Sequence, residues 1–221
     1  MIRPCLATKQ EICMCTFRPF KSADYQQVAR LIATTWEFDS YCSPDVARYL
    51  SYVYLDACLI EQNFTQVVEV AGKIAGVIFA QSAKEHHPSL LAQVRRKWHL
   101  ALLQRTFEGR LVLNFFERID VVDERLLRNT HHSYQGKVEL FIVDSSYQGL
   151  GLGKKLFRAA LAFFAQRQVS DFYLFTDSSC NVGFYQHAGL SCRGHYPFYY
   201  QEQGSKQCLD MYIYDRRSLL L

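Results

Sequence analysis

Three glycines in five positions, Gly149, Gly151 and Gly153, follow Gln148 and precede Lys154 and Lys155. The run Gln148-Gly149-Leu150-Gly151-Leu152-Gly153 joins an apolar stretch, Val138 to Val143, to a segment carrying Leu156, Phe157, Ala160, Leu161 and Phe164 at helical spacing. A strand that runs through a glycine-rich turn into a helix presents backbone N–H groups at the positive end of the helix dipole, which suits phosphate oxygens. The plain alternative is a tight turn without a ligand, yet a turn seldom needs this many glycines. Two common phosphate patterns fail. A Walker loop requires a hydroxyl residue after Gly-Lys, where Lys155 stands, and a first glycine where Gln148 stands. A dinucleotide fingerprint built on Gly149 and Gly151 places its third glycine at Lys154. Lys154 and Lys155 either add charge to the anion site or are solvated helix residues.

Glu139 is the one acid in the Val138 to Val143 stretch. Simple alternation puts its side chain on the side of Phe141 and Val143. A carboxylate there is costly unless solvated or paired, so either a functional role or an ion pair with a base elsewhere accounts for it. Cys180 could be proposed as a nucleophile, but no histidine stands at a matching spacing, and a structural thiol is the simpler reading. The pairs His86-His87 and His131-His132 bracket a stretch without strand character. Adjacent histidines rarely face one metal, so they read as solvated loop residues, and no metal site is expected. Arg95-Arg96-Lys97 with Arg105 reads as a solvated helix face.

The elements around these residues follow from periodicity. Residues 12 to 18 predict a strand, Ser22 a helix N-cap, and Tyr25, Val28, Ala29, Ile32 and Trp36 one face of a first helix. Ser43-Pro44 opens a second helix with Val46, Leu50, Val53 and Ala57 on one face. Thr65 to Val70 and Lys73 to Ala80, joined by Ala71-Gly72, predict a hairpin. Residues 85 to 133 predict a helical insertion: Leu91, Val94, Trp98 and Leu102 keep helical spacing, as do Leu111 to Leu127. Beyond the glycine loop and its helix, Phe172 to Thr176 predicts a strand parallel to Val138 to Val143, making a right-handed crossover. A short helix from Asn181 to His187 ends at Gly189, and Ser191 to Tyr200 and Cys208 to Tyr214 are two further β segments.

Bulk properties bound the rest. The 221 residues suit a single domain, 1–221, with one insertion at about 85–133. A net charge of +4, from 25 basic and 21 acidic residues, is too small to argue for nucleic acid or a membrane and fits an anionic small molecule. The eight cysteines are scattered, with only Cys13 and Cys15 close together, which favours reduced thiols over a disulfide framework or a zinc site. The polar Lys9-Gln10-Glu11 interrupts any leader, and no apolar run spans a bilayer, so a soluble cytoplasmic protein is expected.

The loop also satisfies Gln/Arg-x-x-Gly-x-Gly/Ala through Gln148, Gly151 and Gly153, and here the chain resembles the GNAT N-acetyltransferase family. Val138-Glu139-Leu140-Phe141-Ile142-Val143 is similar to that family's fourth strand. Asn181, Phe184-Tyr185 and Gly189-Leu190 resemble its Asn…Tyr…Gly-Phe segment, with Leu190 in place of the usual aromatic. The resemblance covers nearly everything except residues 85 to 133. It implies an α/β GNAT fold, a mixed central sheet whose parallel strands splay apart. It also implies acetyl-CoA as co-substrate, with no metal. The pantetheine arm would meet the backbone of Phe141, Ile142 and Val143, and the pyrophosphate would meet Gln148, Gly149, Leu150, Gly151, Leu152, Gly153 and Lys154. Asn181 would contact the cofactor or only cap its helix. Tyr185 would be the general acid that protonates the departing thiolate, or else pack and bind CoA. Glu139 would be the base, often through water, and a backbone N–H near Val143 would stabilise the oxyanion. The implied reaction is direct acetyl transfer to a primary amine in a ternary complex. The acceptor side would be shaped by the first two helices and the Tyr196 to Tyr200 segment. A homodimer is left open. The rival readings are a non-catalytic acyl-CoA sensor and an interaction module using residues 85 to 133.

Overall fold

The computed structural model describes residues 15–84, 88–202 and 204–218. Residues 12–14 of the expected first strand, Cys5, Cys13 and His86-His87 lie outside them. Strand β1 (Thr16–Arg18) leads through a 3-10 turn at Ser22–Asp24 into helix α1 (Tyr25–Thr35). The N-cap is Asp24 rather than Ser22. The shift has a cause: the Asp24 carboxylate accepts two hydrogen bonds from Arg18 at 2.7 and 2.8 Å and one from the Lys21 N–H at 2.7 Å, which closes the turn first. Helix α2 (Pro44–Glu61) begins at Pro44 as expected, but the Ser43 hydroxyl makes no cap and donates to Glu108 at 2.6 Å.

The hairpin of β2 (Phe64–Val70) and β3 (Lys73–Ser82) turns at Ala71 and Gly72, both left-handed with φ of 49° and 78°. Two left-handed central residues match the right-handed twist of the strands they join. Helices α3 (Leu90–Gln104) and α4 (Phe107–Asn129) occupy the interval before β4 (Gly136–Val143). Then come α5 (Leu152–Gln166), β5 (Phe172–Asp177), α6 (Val182–His187), β6 (Ser191–Glu202) and β7 (Ser205–Arg216). The seven strands form one mixed sheet in the order β1-β2-β3-β4-β5-β7-β6, with β4 and β5 parallel and the other neighbours antiparallel.

Each face of the sheet has its own core. On one face Val28, Ile32, Leu50 and Leu55 pack on Val77, Phe79, Leu140 and Ile142. On the other, Leu152, Leu156, Phe157 and Phe164 of α5 pack on Val68, Ile78, Val138 and Leu174. A third cluster sets Val122 and Leu126 of α4 on Phe198, Met211 and Ile213 of the β6–β7 hairpin. The apolar stripe of α3 does not face the core: Leu91, Val94 and Trp98 are exposed. Its inner face carries Ala92, Arg95, His99 and Leu103, because fully buried Asp56 of α2 pulls that side inward. Asp56 accepts from Tyr25 Oη at 2.9 Å and Arg95 Nε at 2.9 Å, with His99 Nδ1 at 3.1 Å. Among the described residues no helix is long and apolar enough to cross a membrane.

Candidate active site

The sheet opens between its two parallel strands. β4 and β5 pair only at Gly136 with Phe172 and Lys137 with Tyr173. Beyond that point no pairing joins them among the described residues, so the β5-facing backbone of Phe141 and Val143 is not taken up by β5, and the Val143 carbonyl accepts from the Gln148 side chain instead. Ile142 points its side chain into the core under α2 and pairs through its backbone with Val77 of β3.

At the end of β4, Asp144 accepts from the Ser146 N–H at 2.8 Å and starts a single 3-10 turn, and Gln148 Nε2 donates back to the Val143 carbonyl at 3.3 Å. Gly149 and Gly151 have φ of 77° and 75°, a region costly for any residue with a Cβ. Gly151 is the N-cap of α5, and the first backbone bond there runs from Lys155 N–H to Gly151 O at 3.2 Å. The N–H groups of Leu152, Gly153 and Lys154 therefore precede the helical ladder and suit an anion. At Gly153 a Cβ would lie 3.4 Å from Phe141 Cζ and 3.4 Å from Val143 Cγ2, in van der Waals contact, so the first turn of α5 packs directly against β4 with no space beyond a Cβ in those directions. The two lysines separate. Lys155 lies over the Phe17 ring at 5.7 Å, while Lys154 is exposed beside the loop.

Tyr185 lies on α6, 8% exposed, its ring packed among Phe141, Phe157, Phe184 and Tyr214. Burial first, and then the nearby Cys180 and Asp177, push its phenol well above the usual tyrosine range, with Thr176 working against them. It therefore keeps its proton at neutral pH. The buried Thr176 hydroxyl lies beside both the Tyr185 phenol and the Cys180 thiol. The exposed Asn181 is the N-cap residue of α6, its carbonyl accepting from the Phe184 N–H at 3.1 Å, and its side chain makes no cap hydrogen bond. Burial raises the Cys180 thiol as well, which fits a structural thiol rather than a nucleophile. His132 is not a solvated loop residue: its Nε2 lies 2.8 Å from Asp171.

Glu139 sits elsewhere than alternation places it. The β3–β4 register runs Phe79 with Leu140 and then Ala80 with Val138, so Glu139 is the extra residue of a β-bulge. The bulge reverses alternation. Phe141 and Val143 join Val138 on the α5 side, whereas Lys137 sits over the Phe175 ring at 5.8 Å on the α4 side and holds Glu139 Oε2 at 2.7 Å. Burial works against the Lys137 ammonium, but Glu139 outweighs it and Lys137 rises to about 12.

The ion pair faces groups that the sequence did not single out. Tyr54 of α2 lies within electrostatic reach of Glu139, Asp123 and Cys180. Asp123 of α4 senses Lys137, Asp120 and Asp177 of β5. Lys137, Asp123, Asp177, Tyr54 and Glu139 thus lie within electrostatic reach of one another through Lys137, Asp123 and Tyr54. A signal existed only for Lys137, two residues from Glu139 on one strand. Asp123 is one acid among many on a helix whose docking angle no local pattern reports. Among the described residues no three potential metal ligands cluster.

A mixed sheet splayed between parallel strands, with a glycine turn and helix N-terminus at the mouth, defines an acyl-CoA transferase scaffold. Residues 27–190 match the family model described as the acetyltransferase (GNAT) family. The chain belongs to that family and is an acyl-CoA-dependent acetyltransferase, the family's co-substrate being acetyl-CoA. Solved structures of the same fold include one described as SsHAT, 16% identical with a TM-score of 0.62 over 91% of this chain and 97% of that one. Another is NAA60 of Arabidopsis thaliana in complex with a bisubstrate analogue, 14% identical with a TM-score of 0.53 over 91% and 97% of the two chains. A third is Ard1 from Thermoplasma volcanium, 16% identical with a TM-score of 0.51 over 93% and 98%. No curated protein sequence matches the chain.

Proposed function

We propose that this chain, as a single domain with residues 85–133 inserted, transfers the acetyl group of acetyl-CoA directly to a primary amine within a ternary complex. The observation that carries the reading is the buried, protonated Tyr185 beside the β4–β5 opening, with the glycine loop at its mouth. The pyrophosphate would rest on the N–H groups of Gly149 to Lys154, with Gln148 bracing the loop and Lys154 adding charge. The pantetheine arm would bond the open backbone of Phe141 to Val143, and Asn181 would reach the cofactor from the rim. Thr176 and Tyr185 would meet the thioester end. Tyr185 donates its proton to the departing sulfur as the C–S bond breaks, which removes the cost of releasing a thiolate into a dry site. Glu139, paired with Lys137 at 2.7 Å, would mark the acceptor side and orient the amine there. The unbridged described cysteines, Cys15, Cys42, Cys58, Cys180, Cys192 and Cys208, favour a reducing, cytoplasmic setting.

The test is thiol release from acetyl-CoA with polyamines, amino acid derivatives, aminoglycosides and short peptides. Release that depends on an amine, with an acetylated product, supports the reading. Tight CoA binding without amine-dependent release across that panel favours an acyl-CoA sensor.

A further inference from the structure

Resting on the reading above, we infer that Asp123, supplied by helix α4 of the insertion, takes the proton from the acceptor amine, with the Lys137–Glu139 pair as its positioning partner. The Asp123 Oδ1 is buried and has no hydrogen-bond partner among the described residues. Native structures rarely strand a carboxylate oxygen in this way, and one within electrostatic reach of Lys137 on β4 and Asp177 on β5 suits a donor that arrives with the substrate. An ammonium is such a donor.

The surroundings of Asp123 select the role. From its own helix Asp120 faces it, from β4 Lys137 and from β5 Asp177. Tyr54 of α2 and Tyr173 of β5 border the same space. Arg96 of α3 acts on Asp120. The β6–β7 hairpin packs on the other face of α4, where it presents Phe198, Met211 and Ile213. Burial, with Asp120 and Asp177 adding to it and Lys137 opposing, pushes the Asp123 carboxyl up to about 7. A base is most effective when it titrates near the working pH. Asp123 meets that condition, whereas Glu139 is engaged with Lys137 at 2.7 Å.

The step balances. The substrate ammonium gives one proton to the Asp123 carboxylate, and the freed nitrogen lone pair forms the C–N bond at the thioester carbonyl. Collapse breaks C–S as Tyr185 protonates the sulfur. The second nitrogen proton returns to Tyr185, and Asp123 releases its own proton to solvent.

The test is the pH profile of amine-dependent thiol release, with spermidine and an alanyl dipeptide as probes, for the unaltered protein, Asp123→Asn, Asp123→Glu and Glu139→Gln. Expected are an acid limb near pH 7 in the unaltered protein and a loss of about 100-fold in kcat for Asp123→Asn, with the limb abolished and CoA affinity retained. Asp123→Glu should restore part of the rate with a displaced limb, and Glu139→Gln should keep a limb but move it. An Asp123→Asn enzyme within threefold of normal, with the limb intact, overturns the inference. Should Asp123→Asn not fold, an undisplaced limb in Asp123→Glu overturns it equally. The two readings fail separately: an unaltered protein inert toward every amine sinks amine transfer itself, whereas an active one with an Asp123-independent profile sinks only the assignment of the base.

Discussion

Substituting Gly153 by valine probes the contact between the glycine loop and β4. A Cβ at this position would already touch Phe141 Cζ and Val143 Cγ2 at 3.4 Å and Phe184 Cε2 at 3.9 Å. Alanine therefore fits at the limit of contact, and its gain of about 0.5–1 kcal/mol over glycine in a helix offsets the tightness. Gly153→Ala should melt close to the unaltered protein. Valine extends two methyls beyond a Cβ already in contact, in the one rotamer a helix favours. Overpacking of this kind costs about 1–3 kcal/mol. In a chain of this size that lowers the melting temperature by about 2–4 °C per kcal/mol. The strain is relieved by moving the first turn of α5 off the strand, which carries the N–H groups of Leu152, Gly153 and Lys154 with it. CoA affinity should fall about tenfold or more, since each factor of ten is about 1.4 kcal/mol. Differential scanning fluorimetry and calorimetric titration with CoA read the two effects. A Gly153→Val protein with unaltered melting and unaltered CoA affinity would refute the close-packing argument. Equal damage from alanine and valine would refute it as well.

Tyr185→Phe keeps the ring packing and removes only the hydroxyl, so turnover should drop about 100-fold with CoA affinity unchanged; unchanged turnover in a stopped-assay comparison removes Tyr185 as the acid. Asp56→Ala leaves Arg95 and Tyr25 without their buried acceptor and should cost about 3 kcal/mol in urea unfolding, loosening α3 from α2. The Asp24 carboxyl is held below its ordinary value of 3.8, first by its hydrogen bonds from Arg18. A carboxyl lowered by folding stabilises the protein above its unfolded value, and that stabilisation is lost as pH falls through the folded value. Asp24→Asn should therefore reduce the difference in melting temperature between neutral pH and pH about 3; an unchanged difference would show that the Arg18 pair does not carry the acid sensitivity.

Local chemistry was legible in the sequence where one residue type answers one backbone demand. Gly149, Gly151, the Ala71-Gly72 turn and Pro44 each mark a position that few other residues would suit, and the elements they punctuate lie where periodicity put them. Two kinds of feature escaped. Alternation along β4 failed at Glu139 because a bulge there is set by pairing with β3, a non-local event with no side-chain signature. The inner face of α3 was misread because its apolar stripe of Leu91, Val94 and Trp98 is more regular than its docking face, which is organised by a charge buried on another helix. Asp123 escaped for the same reason: its burial depends on how α4 crosses β5 and β7. The backbone geometry of the glycine loop could be read locally, and the packing around Glu139 and Asp123 could not.

The most direct test of the account is a crystal structure of the protein with acetyl-CoA or a non-hydrolysable analogue. It should show the pyrophosphate on the N–H groups of Gly149 to Lys154, the pantetheine arm against Phe141 to Val143, and the sulfur beside the Tyr185 hydroxyl, with Asp123 and Glu139 on the acceptor side of the carbonyl. CoA bound away from the β4–β5 opening, or with its sulfur remote from Tyr185, would contradict it.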